Sequence, residues 1–146
     1  MTTSIHSVDK GRYSDPDGGQ YIWAKATGSA LANGDVVILD ATNTTNALWA
    51  VKRTTTADDT TVVGVCLETV TSGSFGKIQV YGTHSAVKID GTTTSVAIED
   101  RIAAGTVTAK ANLMKATTVV GGMLGTSLAT VTTGSDSTYL VFIDPR

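Results

Sequence analysis

Short runs of β-branched residues, each closed by a glycine-, asparagine- or serine-bearing turn, recur from Gln20 to the end of the chain. Evenly spaced runs of this kind predict many short strands, as in a sandwich or a barrel. Residues 20–26 alternate, with Tyr21, Trp23 and Lys25 on one face and Ile22, Ala24 and Ala26 on the other. The turn signal Asn33-Gly34-Asp35 precedes Val36-Val37-Ile38-Leu39. That apolar run is short enough for a strand buried on both faces. Further strands are predicted over residues 47–52, 60–68, 76–82, 85–90, 95–98, 106–111, 117–125, 127–132 and 137–143. Residues 97–104 hold the one helical spacing, Ile98 and Ile102, and predict a turn or a single helical turn. Such a piece is too short to stand without tertiary support.

The strands are read as an all-β fold: a small β-barrel or β-sandwich over residues 21–146, preceded by an extended N-terminal arm, residues 1–20. The arm carries Pro16, few apolar residues and no period of 2 or 3.6, with a turn expected at Asp15-Pro16-Asp17-Gly18. Alone it buries too little to order itself. Only 16% of the 146 residues are charged. Solubility therefore falls to Thr, Ser, Asn and Gly, and threonine also favours the extended backbone.

A duplication is visible within the chain. Gly34-Asp35-Val36-Val37, Val62-Val63-Gly64-Val65-Cys66-Leu67 and Gly76-Lys77-Ile78-Gln79-Val80-Tyr81 form one series. Glu99-Asp100-Arg101-Ile102, Val119-Val120-Gly121-Gly122-Met123-Leu124 and Ser137-Thr138-Tyr139-Leu140-Val141-Phe142 form the other. The shared glycine suits a bulge or a close backbone approach in a curved strand. A duplicated, closed barrel is the expectation, and closure would protect strand edges.

The net charge of -2 gives no cation excess to displace counterions from phosphates, which argues against nucleic acid as a direct partner. No run approaches the ~20 apolar residues of a membrane span. The N-terminus lacks the basic and apolar regions of a signal peptide, so synthesis in the cytoplasm without export is expected. Cys66 stands alone among apolar neighbours and reads as a small buried hydrophobe. His6 and His84 have no metal-site spacing, and no metal or cofactor is expected. Asp15-Pro16-Asp17 and Asp58-Asp59 offer carboxylates but not the spaced ligands of a cation loop. Ser74, between Gly73 and Gly76, lacks the strand-turn-helix setting of a nucleophile elbow, and Gly76-Lys77 lacks a phosphate cradle. These readings leave no catalytic residue and no enzyme class. Among the aromatics, Trp49 and Phe142 read as core. Tyr13, Tyr21 and Trp23, near the arm, are candidate inter-subunit contacts, because aromatic anchors carry much of an interface's energy.

Gly34-Asp35-Val36-Val37, then Val63 to Glu68, then Gly76 to Gly82, with the later acidic-Asp-x-Ile turn and the closing Leu140-Val141-Phe142-Ile143, resemble the capsid decoration (cement) proteins of tailed phages. The likeness spans residues 28–144 and departs in a longer insert between Asp40 and Thr60. The resemblance implies a structural virion protein on the exterior of an expanded capsid, a homotrimer bridging subunits of the major capsid protein. Other readings of the chain are a head-fibre base or a tail or baseplate component. A carbohydrate-binding β-domain, with Trp23 or Trp49 as stacking platform, is a further one.

Overall fold

A computed structural model describes residues 12–14, 18–43, 49–56, 59–92, 94–105, 107–114 and 122–145. No helix occurs among them, and ten strands form one continuous sheet. They are β1 (Arg12–Ser14), β2 (Gln20–Ala26), β3 (Val36–Leu39), β4 (Ala50–Arg53), β5 (Val62–Cys66), β6 (Phe75–Gly91), β7 (Arg101–Ala104), β8 (Ala111–Leu113), β9 (Met123–Ser127) and β10 (Ser135–Ile143).

The pairings resolve barrel against sandwich. β2, β4, β3, β5 and the first half of β6 close one ring, since β6 returns to pair with β2. The second half of β6 begins another ring, which runs through β10, β9, β7 and β8 and closes on β6 again. β6, 17 residues long, is the last strand of the first barrel and the first of the second.

The duplication is therefore real, and its register is repeated in detail. Val37, Ile38 and Leu39 face Arg53, Lys52 and Val51, while Ile102, Ala103 and Ala104 face Leu113, Asn112 and Ala111. A bulge follows Val37 opposite Gly64 in one copy and Ile102 opposite Gly125 in the other. The Asp35 carboxylate accepts the Ala32 N–H at 2.8 Å, as Asp100 accepts that of Ala97 at 2.7 Å. The isolated bridge Leu31–Val70 is matched by Val96–Val131. Cys66 Sγ donates to the Glu68 carbonyl at 3.0 Å, where Ser127 Oγ donates to that of Ala129 at 2.7 Å. Burial pushes the Cys66 thiol up.

Several boundaries need correction. The first series aligns with the second as expected at Gly34 and Glu99, but the partner of Gly64 is Gly125, four positions after Gly121. Residues 119–121 lie outside the described residues. The three-letter Val-Val-Gly match misled because the loops of the two copies differ in length. Residues 97–104 hold no helical turn: Asp100 caps a β-turn and residues 101–104 are β7, with Ile102 inside and Arg101 outside. Residues 95–98 and 128–132 contribute a single bridge, Val96–Val131, rather than strands, Ser127 ends β9, and residues 107–110 form a turn ahead of β8. The runs at 76–82 and 85–90 are one strand, because Gly82, at φ +101°, passes β6 from one ring to the other instead of ending it. Within the segment read as an arm, Arg12–Ser14 pair with Gln20–Ile22, and the turn expected between them lies, up to Asp17, outside the described residues.

The barrels are welded side to side. Val36 and Val65, opposite one another on β3 and β5, pack into the same apolar cluster as Val87, Ile89, Ile102, Leu124 and Val141 of the second barrel. Val37 and Cys66, one residue on, point into the first barrel's own core with Ile22, Leu31 and Ile78. The run at 36–38 is thus buried on both faces because one face is a barrel interior and the other an inter-barrel seam. Each fully buried valine there stabilises by roughly 1.5–3 kcal/mol. The equivalents of Val36 and Val65 in the second copy are Arg101 and Thr126, which meet no further barrel.

The same contrast governs the turn glycine. Gly34, at φ +85°, sits so close to β6 that a Cβ would lie 1.9 Å from the Ala86 carbonyl oxygen. Its equivalent, Glu99, has φ +73° on the open side of the second barrel and keeps a side chain. Left-handed backbone costs a non-glycine residue about 1–2 kcal/mol. Glu99→Gly is expected to stabilise the fold by roughly 0.5–1 kcal/mol, net of glycine's larger loss of chain entropy, as read by urea denaturation.

Candidate interaction surface

Alternation on β2 and β6 places Ile22, Ala24, Ala26, Gly76 and Ile78 inside the first barrel and Tyr21, Trp23, Lys25, Phe75 and Lys77 outside. The antiparallel register sets Trp23 opposite Lys77 and Lys25 opposite Phe75, so cations and aromatic rings alternate in a checkerboard. Lys77 Nζ lies 5.1 Å from the Tyr21 ring centroid and 5.8 Å from that of Trp23. Cation–π contacts at exposed sites are worth about 0.5–1 kcal/mol each, enough to hold the rings in a defined orientation. Trp23 is still 41% exposed and Phe75 56%. Two large rings left open on one sheet face form an exposed aromatic patch, a candidate interaction surface.

Of the three residues singled out from sequence, Tyr21 and Trp23 are brought together on this face. Tyr13 stands opposite Tyr21 in the β1–β2 register, and its side chain lies outside the described residues. Phe75 and Lys77 were missed. Lys77 falls within the strand predicted over 76–82 and Phe75 just before it, and only the pairing with β2 reveals that their side is outward and shared with Trp23. Gln79, next along the same side, is buried: its amide donates to the Tyr81 and Thr83 carbonyls, both at 3.1 Å, and braces β6 where it changes rings.

Trp49 is half-buried and lines a half-open pocket of about 170 Å³ with Ile22, Val62, Val63, Val80 and Pro145. Its indole Nε1 is buried and has no hydrogen-bond partner among the described residues. This placement makes Trp49 part of the barrel wall rather than a stacking platform. Phe142 packs edge-on against Tyr81, ring centroids 5.2 Å apart.

The polar groups serve structure. Asp35, fully buried, is held by Arg53 Nε at 2.8 Å from β4 and by Lys88 Nζ at 2.5 Å from the second half of β6. Asp40 accepts from the Thr42 and Thr27 hydroxyls, both at 2.7 Å, and these bonds hold its carboxyl down at about 2. Asp59–Thr61 and Asp90–Thr92 repeat the Asp-x-Thr turn. The described residues include no group of three or more His, Cys, Asp or Glu side chains placed to hold a metal ion.

His84 Nε2 meets Asn33 Oδ1 at 3.1 Å, and burial lowers its pKa. A folded pKa below the ordinary imidazole value means that the unfolded chain takes up the proton first as pH falls through about 6.5. Stability is therefore expected to decline on acidification from pH 7, and His84→Gln should flatten that decline. Equilibrium unfolding of both proteins between pH 7 and 5 measures the difference.

No protein-family model matches the chain, and no curated protein sequence does. Among solved structures it is similar to the N base of the head fibre protein gp8.5 of bacteriophage phi29, with a TM-score of 0.54 and 14% identity over 86% of this chain and 96% of that one. At that identity the likeness is one of fold.

Proposed function

We propose that this chain is a structural component of a phage virion that binds the outside of the head, as a decoration protein gripping the major capsid protein. The observation that carries the reading is the likeness of fold to a head fibre base, which takes in 96% of that chain. The short-motif resemblance to decoration proteins points the same way. In this reading the molecule performs no reaction and works by linkage: a protein that binds only the expanded shell shifts the equilibrium toward it, by about 2.7 kcal/mol per site at a hundredfold excess over Kd. Linked contacts to several capsid subunits raise occupancy further.

A head-fibre base is the second reading, favoured by the same structural likeness. The two separate in one experiment. Purified protein is mixed with undecorated expanded heads, sedimented, and the heads are then heated. Co-sedimentation with a raised disruption temperature supports decoration. Co-sedimentation with no change in disruption temperature supports a fibre base. No binding to heads overturns both.

A further inference from the structure

Ring closure leaves both barrels with little free sheet edge, so contacts with other molecules fall to side-chain faces. Two such faces carry large exposed apolar groups. One is the Trp23–Phe75–Lys77 face of the first barrel. The other is on the second barrel, where Ile98 is 57% exposed, Leu140 40% and Leu128 36%. The main chain ties these three together: Leu128 N donates to the Leu140 carbonyl at 3.0 Å, and Glu99 N, next to Ile98, donates to the Ser127 carbonyl at 2.8 Å.

The two faces occupy related positions in the duplicated fold. Leu67 N donates to the Lys77 carbonyl at 3.0 Å, the same bond that Leu128 makes with Leu140. Leu128 thus stands where Leu67 does, and Leu140 where Lys77 does. Yet the chemistry has diverged. The first face is aromatic and carries Lys25 and Lys77, with Glu68 bonded to the Lys77 backbone N–H at 3.0 Å. The second is aliphatic and carries Glu99 and Asp100 beside Arg101. One face has a cation excess and the other a carboxylate excess. By formal charge, unlike faces attract and like faces repel.

We propose that copies of this chain associate head to tail, the Trp23–Phe75–Lys77 face of one copy docking on the Ile98–Leu128–Leu140 face of the next. The Trp23 and Phe75 rings supply the anchors, the leucines and Ile98 the aliphatic floor, and Lys25 and Lys77 meet Glu99 and Asp100 at the rim. Such a contact is heterologous, so every copy offers one face of each kind. Complementary rim charge favours this pairing over face-to-same-face dimers, in which lysine would meet lysine. The association needs no shell and stands apart from the virion reading.

The test uses two double variants of the full chain, Trp23→Ser with Phe75→Ser and Ile98→Ser with Leu140→Ser, at exposed positions where folding is checked by far-UV circular dichroism and thermal unfolding. Should either fail to fold, the single changes Phe75→Ser and Leu140→Ser replace them. Sedimentation velocity is expected to show wild type above monomer mass and each variant as monomer, its self-affinity weakened by roughly 30-fold or more, as for hot-spot anchors. An equimolar mixture of the two variants then decides the matter. Each retains the face the other has lost, so the mixture should form a one-to-one dimer and nothing larger. A wild type that stays monomeric at high micromolar concentration overturns the proposal. So does a variant that still assembles alone, which would mean a symmetric contact, or a mixture that remains monomeric. Head binding by a monomeric wild type would leave the virion reading standing while this one fell.

Discussion

Gly34→Ala is expected to lower unfolding free energy by about 3 kcal/mol or more, near 10 °C in Tm for a chain of this size. Two costs combine. The residue has φ +85°, and its new Cβ would lie 1.9 Å from the Ala86 carbonyl oxygen, a backbone atom that no rotamer change can move. Retreat is blocked as well, because Lys88 N donates to the Gly34 carbonyl at 3.0 Å and Gly34 N to the Cys66 carbonyl at 2.9 Å. Gly73→Ala is the control: φ is again +85°, but nothing stands within 4 Å of the added methyl. It should cost about 1 kcal/mol, the strain alone. Chemical denaturation of both variants reads the difference, and equal losses would show that the seam yields to the extra carbon.

The second large effect belongs to Asp35. Its carboxylate is fully buried while Arg53 and Lys88 keep 31% and 32% of their side chains exposed. Asp35→Asn leaves the two cations facing an amide that cannot balance them. Breaking a buried pair typically costs 3–5 kcal/mol, and the partial hydration of both cations places this case at the low end, about 3 kcal/mol. Lys88→Met removes one of two partners and should cost about 1 kcal/mol. The asymmetry has a structural reading. Lys88 belongs to the second barrel and reaches back to the first, while the residue aligned with Arg53 in the second copy is Leu113. Asp100, in Asp35's place, keeps the turn cap alone. The triad is thus a seam device added to a turn that needs only the carboxylate. A triple change to Asp35→Leu, Arg53→Met and Lys88→Met should recover much of the loss, with thermal unfolding as the readout.

Much of this was legible in the residues. Alternation at 20–26, the Asn33-Gly34-Asp35 turn and the doubly apolar run after it led to strands, closure and duplication. The polar outward residues of the second copy, Arg101 and Thr126, were equally visible, yet their meaning depends on knowing that Val36 and Val65 face another barrel. Nothing local to Val36 says what covers it. The continuity of β6 was hidden for a related reason. Gly82 and Thr83 read as a break when neighbours are unknown, and only pairing with β2 on one side and β10 on the other keeps the chain extended through them. The candidate surface was half legible: Tyr21 and Trp23 share a strand, whereas Phe75 and Lys77 join them through a register set by contacts fifty or more residues apart.

The shared strand also bears on how the molecule is made. Neither ring closes until β6 is laid down, and each closure joins segments far apart in the chain, the kind of topology that folds in milliseconds to seconds rather than microseconds. A cut between the two halves of β6 would leave each ring its own five strands, joined only through the apolar seam at Val36 and Val65. The two barrels, though copies of one pattern, share this strand and the seam cluster, so they should appear and vanish in a single transition, and a nascent chain released at residue 91 would carry the uncovered seam valines, Val36 and Val65, into solution.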